Sequence, residues 1–176
     1  MSGGPAPHGG PGDSIGDLAF GLLTVSDTRQ SDDDVSGRLL RELVSASGHR
    51  VFAVAIVPDE PPTVRERVLT WALDPACDVI LSSGGTGLSA RDRTVEAVSE
   101  LFDVRIDGFG ELFRLLSFEA IGSRAMLSRA TAGVVGGTPV FLLPGSPEAV
   151  TLALTRLVLP EIAHVVGELR RHGRRD

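Results

Sequence analysis

Residues 78–87 read Asp-Val-Ile-Leu-Ser-Ser-Gly-Gly-Thr-Gly, and this stretch decides the fold. The apolar run Asp78–Ser83 has the length and bounds of a buried strand, and three glycines among the next four residues end it. Glycines permit positive φ values and leave the peptide amides uncovered, so the segment from Ser82 through Gly84, Gly85, Thr86 and Gly87 suits a concave nest for an anion. A plain tight turn has the same composition, and the spacing is neither the dinucleotide GxGxxG nor the Walker pattern. Arg91, Asp92, Arg93 and Thr94 follow. Guanidinium groups fork onto phosphate oxygens, and a carboxylate among them has a purpose if it holds Mg²⁺. The bland alternative is a surface arginine–aspartate pair, which contributes little.

Upstream, Leu18–Ser26 is another apolar run and ends at Asp27. After the acidic stretch Asp32–Asp34, a helix with Leu39, Leu40, Leu43 and Val44 on one face stops at Gly48. Val51–Val57 reads as a second strand, closed by Pro58-Asp59. Thr63-Val64-Arg65-Glu66 has the form of a capping box and predicts a helix from there towards Leu73. The order strand, helix, strand, helix, strand, with continuous rather than alternating apolar runs, indicates an α/β three-layer sandwich. Its central sheet is mainly parallel, with helices on both faces. Downstream, helices are expected at Thr94–Leu101 and Gly110–Ala120. A strand pair, Ala132–Val135 and Val140–Leu143, flanks Gly136-Gly137-Thr138, and a last helix starts at Pro147 with Ser146 as its N-cap. Pro160 should kink or divide that helix. Met1–Asp17, rich in Gly, Pro and Ser, reads as a disordered tail, which leaves 18–172 as one domain.

Composition narrows the chemistry. With 42% hydrophobic and 23% charged residues, the 176-residue chain has ordinary globular usage. No apolar run approaches the roughly 20 residues of a membrane helix, and no signal peptide opens the chain, so a cytoplasmic protein without a membrane partner is expected. A net charge of −6 speaks against non-specific nucleic-acid binding. The basic end Arg170–Arg175 has no interleaved aromatics and reads as a solvated helix tail. Cys77 is the only cysteine and the four histidines are scattered, which excludes an intrachain disulfide and argues against a zinc site. All 17 basic residues are arginine, so there is no Walker, Schiff-base or kinase lysine, and no tyrosine is available as a phenolic acid. Carboxylates, hydroxyls, arginines, backbone amides and a metal remain.

In parallel α/β sheets ligands bind outside the carboxyl ends of the strands. Asp27, Asp59 and Asp92 follow the first three strands in turn, which places three carboxylates at one rim. A turn or cap explains any one of them. Leu143-Pro144-Gly145-Ser146-Pro147 adds a strand-to-helix turn, read either as a second anion-friendly position or as a connector.

These pieces resemble, in order, the MogA/MoaB family of molybdenum-cofactor biosynthesis proteins. The matching residues are Ser26-Asp27, Asp34-Val35-Ser36-Gly37, Pro58-Asp59-Glu60, Gly84-Gly85-Thr86-Gly87 with Arg91-Asp92 and Thr94, Gly108-Phe109-Gly110-Glu111, Phe113-Arg114 with Ser117, Ser128-Arg129-Ala130, and Pro144-Gly145-Ser146. They span about Phe20 to Glu168. One departure is Asp107, where the family usually has proline. The resemblance implies a molybdopterin-binding-like fold and molybdopterin adenylyltransferase activity, in which molybdopterin and Mg-ATP give adenylylated molybdopterin and pyrophosphate. On this chain it implies Asp59 and Asp92 as catalytic residues organising Mg²⁺, and Gly84, Gly85, Thr86 and Gly87 as holders of phosphates. It further implies Ser26, Asp27, Ser117, Pro144, Gly145 and Ser146 as lining of the pterin or nucleotide pocket, and a homotrimer or hexamer. Two other readings share these residues: a non-catalytic molybdopterin-binding paralogue of MoaB type, and a CinA-like nucleotide enzyme domain.

Overall fold

Side chains alternate across a strand, and here both sides of the sheet are covered. In β1 (Ala19–Val25) and β3 (Val79–Ser83) every residue is buried. Leu22, Leu81 and Leu143 enter one core layer, while their neighbours Leu23, Ile80 and Leu142 enter the other. That is why these runs show no polar alternation. The computed structural model describes residues 16–27 and 33–172. The tail up to residue 15, Asp32 of the acidic stretch and the basic end beyond residue 172 lie outside the described residues.

The six-stranded sheet has the order β2-β1-β3-β6-β5-β4. β2 (Arg50–Val57), β1, β3 and β6 (Thr138–Leu143) are mutually parallel, and β5 (Thr131–Val135) runs antiparallel to both neighbours. The chain winds outward through α1 (Val35–Ala46) to β2, then back through α2 (Pro61–Ala72) to β3 on the other side of β1. α1 therefore covers one face and α2 the opposite one, with Trp71 and Val68 packed on Leu23 and Ile80. The fold is the three-layer α/β sandwich expected from the sequence. Gly136 and Gly137, at φ 56° and 87°, form the two-residue turn of the β5–β6 hairpin.

Several boundaries differ from the sequence reading. α2 begins at Pro61, with Glu60 as a cap whose side chain takes no helix N–H, so Thr63 lies inside the first turn and there is no capping box. Proline at the first helical position presets φ and needs no N–H partner. α3 (Thr94–Ser99) is shorter than expected. α4 (Asp107–Ile121) starts three residues before Gly110. Asp107 is its first residue and pairs with Arg105 at 3.1 Å, a position where the fixed φ of the family's proline would also suit a helix start. The two-residue β4 (Val104–Arg105) and the 3₁₀ turn Gly122–Leu127 are too short to leave a period in the sequence.

After Ser146, whose hydroxyl caps Ala149 N–H as expected, one helical rod runs to its end in three parts. These are α5 (Pro147–Ala153), a π turn (Leu154–Val158) and α6 (Leu159–His172). Leu159 N–H bonds back to Leu154. The widened turn immediately before Pro160 divides the rod without ending it. By length and composition alone Pro147–Arg171 could span a bilayer, with a mean hydropathy of 1.5 in an 18-residue window, although charged residues interrupt it. Its apolar stripe, Val150, Leu154, Val158, Ile162 and Val166, is buried in the core beneath the sheet.

Candidate functional site

β2, β1 and β3 are adjacent, so the loops leaving their carboxyl ends meet. Asp27 accepts a hydrogen bond from the backbone N–H of Asp59 at 3.0 Å and pairs with Arg91 at 2.8 Å. Asp59 accepts from the Thr94 hydroxyl at 3.3 Å and from the backbone N–H of Arg93. Asp92 accepts from Ser89 N–H at 3.0 Å, closing its loop on itself. Burial pushes the Asp59 carboxyl above the ordinary carboxylate range. The charges of Asp92 and Asp27 push the same way, against the bonds from Thr94 and Arg93. The charges of the other two strand-end aspartates thus reach Asp59.

The glycine loop passes beneath them. Gly84 and Gly85 have φ of +99° and +64°. A Cβ on Gly84 would lie 2.2 Å from the Val25 carbonyl oxygen, and one on Gly85 would lie 2.0 Å from Thr94 Oγ1 and 2.9 Å from Asp59 Oδ2. A Cβ on Gly87 would lie 2.6 Å from Asp92 Oδ2. The chain can run this close to the carboxylates only because it carries no side chains there. Gly84 N–H is taken by the Leu143 carbonyl at 3.1 Å. The amides of Gly85, Thr86 and Gly87 donate to no partner among the described residues.

Thr86 and Gly87 also border a cavity of about 410 Å³. Ser117, Pro144, Gly145 and Ser146 line it; Ser26 and Asp27 do not. Asp27 instead belongs to the carboxylate cluster, and Ser26 follows β1 with its N–H on the Val57 carbonyl. Ser117 donates its hydroxyl proton to its own helix, at Phe113 O and 2.7 Å, and so offers the cavity only acceptor lone pairs. Ser36 of α1 donates to Gly145 O at 2.8 Å and fixes the Pro144–Ser146 turn.

A family model described as a probable molybdopterin binding domain matches residues 21–164. Molybdenum cofactor biosynthesis protein B of Bacillus subtilis is 48% identical over 151 residues, covering 85% of this chain and 89% of that protein. A crystal structure of a molybdenum cofactor biosynthesis protein B is 46% identical, with a TM-score of 0.88 over 91% of this chain and 100% of that one. The chain belongs to the MogA/MoaB family. The CinA-like alternative loses ground accordingly. CinA from Thermoplasma acidophilum is 19% identical with a TM-score of 0.54, over 85% of this chain and 98% of that chain, and shares the fold alone.

Two features of this family member escaped the sequence reading. Arg129, in the Ser128-Arg129-Ala130 match, donates from Nε to Thr86 O at 3.2 Å and from a terminal nitrogen to Asp92 O at 2.6 Å. It also forks onto Glu96. Burial works to raise the Glu96 carboxyl, but the Arg129 bond and charge outweigh it and hold that carboxyl below its usual range. One guanidinium therefore ties both ends of the 86–92 loop to α3. The second feature is Arg124 and Glu148, which line the cavity from opposite elements. Partners tens of residues away leave no local spacing to read.

Proposed function

We propose that this chain transfers an adenylyl group from Mg-ATP to the phosphate of molybdopterin. An oxygen of that phosphate attacks the α-phosphorus of ATP. The new P–O bond forms as the bond to the bridging oxygen breaks, and pyrophosphate leaves. No protein nucleophile is required, so catalysis rests on positioning and charge. The observation that carries the reading is one glycine loop whose amides lie against Asp59 and Asp92 and whose Thr86 and Gly87 border a largely apolar cavity.

Asp59 and Asp92 would hold Mg²⁺, which when bound neutralises charge on the phosphates. Among the described residues no three His, Cys, Asp or Glu side chains form a ready cage. Mg²⁺ is commonly held by one or two carboxylates together with substrate phosphates and water, so two carboxylates, one of them raised by burial and to a lesser degree by the charge of the other, fit it. In this reading Asp27 positions Asp59 and Arg91, the amides of Gly85–Gly87 cradle phosphates, and the cavity receives the pterin. The working form would be a homotrimer or a dimer of trimers.

A second reading has specific support. The curated relative matched here bears the name of protein B, and a MoaB-type paralogue could bind molybdopterin without turning it over. Incubation of the pure protein with molybdopterin, Mg²⁺ and ATP separates the two, because only an enzyme yields adenylylated pterin and pyrophosphate. In Asp92→Asn the size and one acceptor oxygen remain but the charge is lost. Turnover should fall about 100-fold or more in kcat, with a smaller change in KM and an unaltered melting temperature. Normal turnover in Asp92→Asn would remove this carboxylate from the mechanism.

A further inference from the structure

The cavity beside the glycine loop has two charged residues in its lining, of opposite sign. Arg124 comes from the 3₁₀ turn after α4, and Glu148 from the first turn of α5. Neither side chain makes a hydrogen bond or ion pair with another described residue, and both are exposed. Other polar hollows differ. The hollow behind Arg129 has its Arg105 paired with Asp107 and Arg129 with Glu96, and the hollow at the opposite rim has Asp78 paired with Arg170. Between Arg124 and Glu148 the walls are apolar, with Phe113, Pro144 and Ala149, and with Ile121 and Leu127 left 57% and 52% exposed. A flat ring seated there would cover both of these exposed side chains.

The chemistry of the two charges says what that ring should carry. A guanidinium binds a phosphate through paired N–H bonds, and a carboxylate accepts two parallel N–H bonds from an amidine-like edge. A 2-amino-4-oxopteridine offers such an edge, its exocyclic N–H beside the ring N3–H. We propose that Arg124 pairs with the phosphate of a pterin phosphate while Glu148 accepts from its amino-pyrimidine edge, so that these two residues set the cavity's ligand specificity. This rests on the reading of the cavity as the pterin site, and deepens it by naming the groups that select the ligand.

Titration calorimetry with three probes tests it: 6-hydroxymethylpterin phosphate, the same pterin without phosphate, and the lumazine counterpart of the phosphate, which has a carbonyl in place of the amino group. Arg124→Gln should weaken pterin phosphate about tenfold or more and leave the unphosphorylated pterin unchanged, with Arg124→Lys restoring most of the loss. Glu148→Gln should weaken pterin phosphate about tenfold and should not weaken the lumazine phosphate, whose 2-carbonyl repels a carboxylate and accepts from an amide N–H. Both side chains are exposed, so unchanged melting temperatures should accompany these effects. If wild type and all variants bind pterin phosphate equally, the assignment of Arg124 and Glu148 is overturned while the cavity remains a pterin site. If wild type binds no pterin phosphate, the reading of the cavity itself fails, and this inference with it.

Discussion

Gly84 combines two constraints that act on the backbone rather than on any side chain. Its φ is +99°, and an added Cβ would meet the Val25 carbonyl oxygen at 2.2 Å, an atom held in place by the centre of the sheet. Gly84→Ala should therefore cost more than about 2 kcal/mol in urea unfolding. Gly48 has a φ of +80° with open space around it, and the same change there should cost only about 1 kcal/mol. Asp59 gives a prediction in pH. Its folded pKa lies above the unfolded value of 3.8, chiefly through burial. Its contribution to stability is thus full below the unfolded pKa and is lost as pH rises through the folded one. Asp59→Asn removes that loss, so thermal unfolding should show the variant gaining on wild type as pH climbs above 3.8 and levelling off beyond the folded pKa. A gain that instead grows as pH falls would contradict the raised carboxyl.

At the scale of elements, the segment 86–92 has little apolar contact of its own; Leu88 is 66% exposed. Its two ends are held by Arg129, which bonds Thr86 O and Asp92 O and anchors on Glu96 of α3. Arg129→Gln should speed hydrogen exchange at Ser89 and Asp92, whose N–H groups bond within this loop, and leave the buried amides of β3 protected. Arg129→Lys should not restore protection, because an ammonium lacks the planar fork that reaches two carbonyls and a carboxylate together. Equal exchange in wild type and both variants would show that the loop is held by other means. The consequence for function follows from position: Asp92 sits at the pinned end of the loop.

For the whole molecule, the surface of α4 and the turn after it raises the question of assembly. Leu112, Leu115, Phe118, Ile121, Met126 and Leu127 are each at least half exposed. A monomer rarely leaves such a run of large apolar side chains in water, and closed symmetric contacts between copies are the usual way to cover it. Light scattering should give a trimer or hexamer at micromolar concentration. Leu115→Glu should shift it towards monomer without changing the circular dichroism of the fold, whereas a monomeric wild type would leave this surface to another partner. Ile121 and Leu127 also line the cavity, so loss of assembly should weaken ligand binding as well.

The sequence by itself determined the parallel core of this protein, because strands buried on both faces must read as unbroken apolar runs, as Ala19–Val25 and Val79–Ser83 do. It also determined that the glycine loop and the aspartates share one rim, since βαβ winding sends every parallel strand's carboxyl end the same way. The N-cap at Ser146 was legible for a local reason, a side chain bonding three residues ahead. Only the tertiary structure decided that Arg129, 43 and 37 residues from the carbonyls it binds, holds the loop closed, and that Arg124 and Glu148 face one cavity. It likewise decided the fate of Pro160, where packing of the apolar stripe into the core outweighs the missing N–H and a π turn absorbs the defect. Contacts between residues far apart in the chain leave no period in the sequence, so their geometry becomes visible only once the sheet has brought them together.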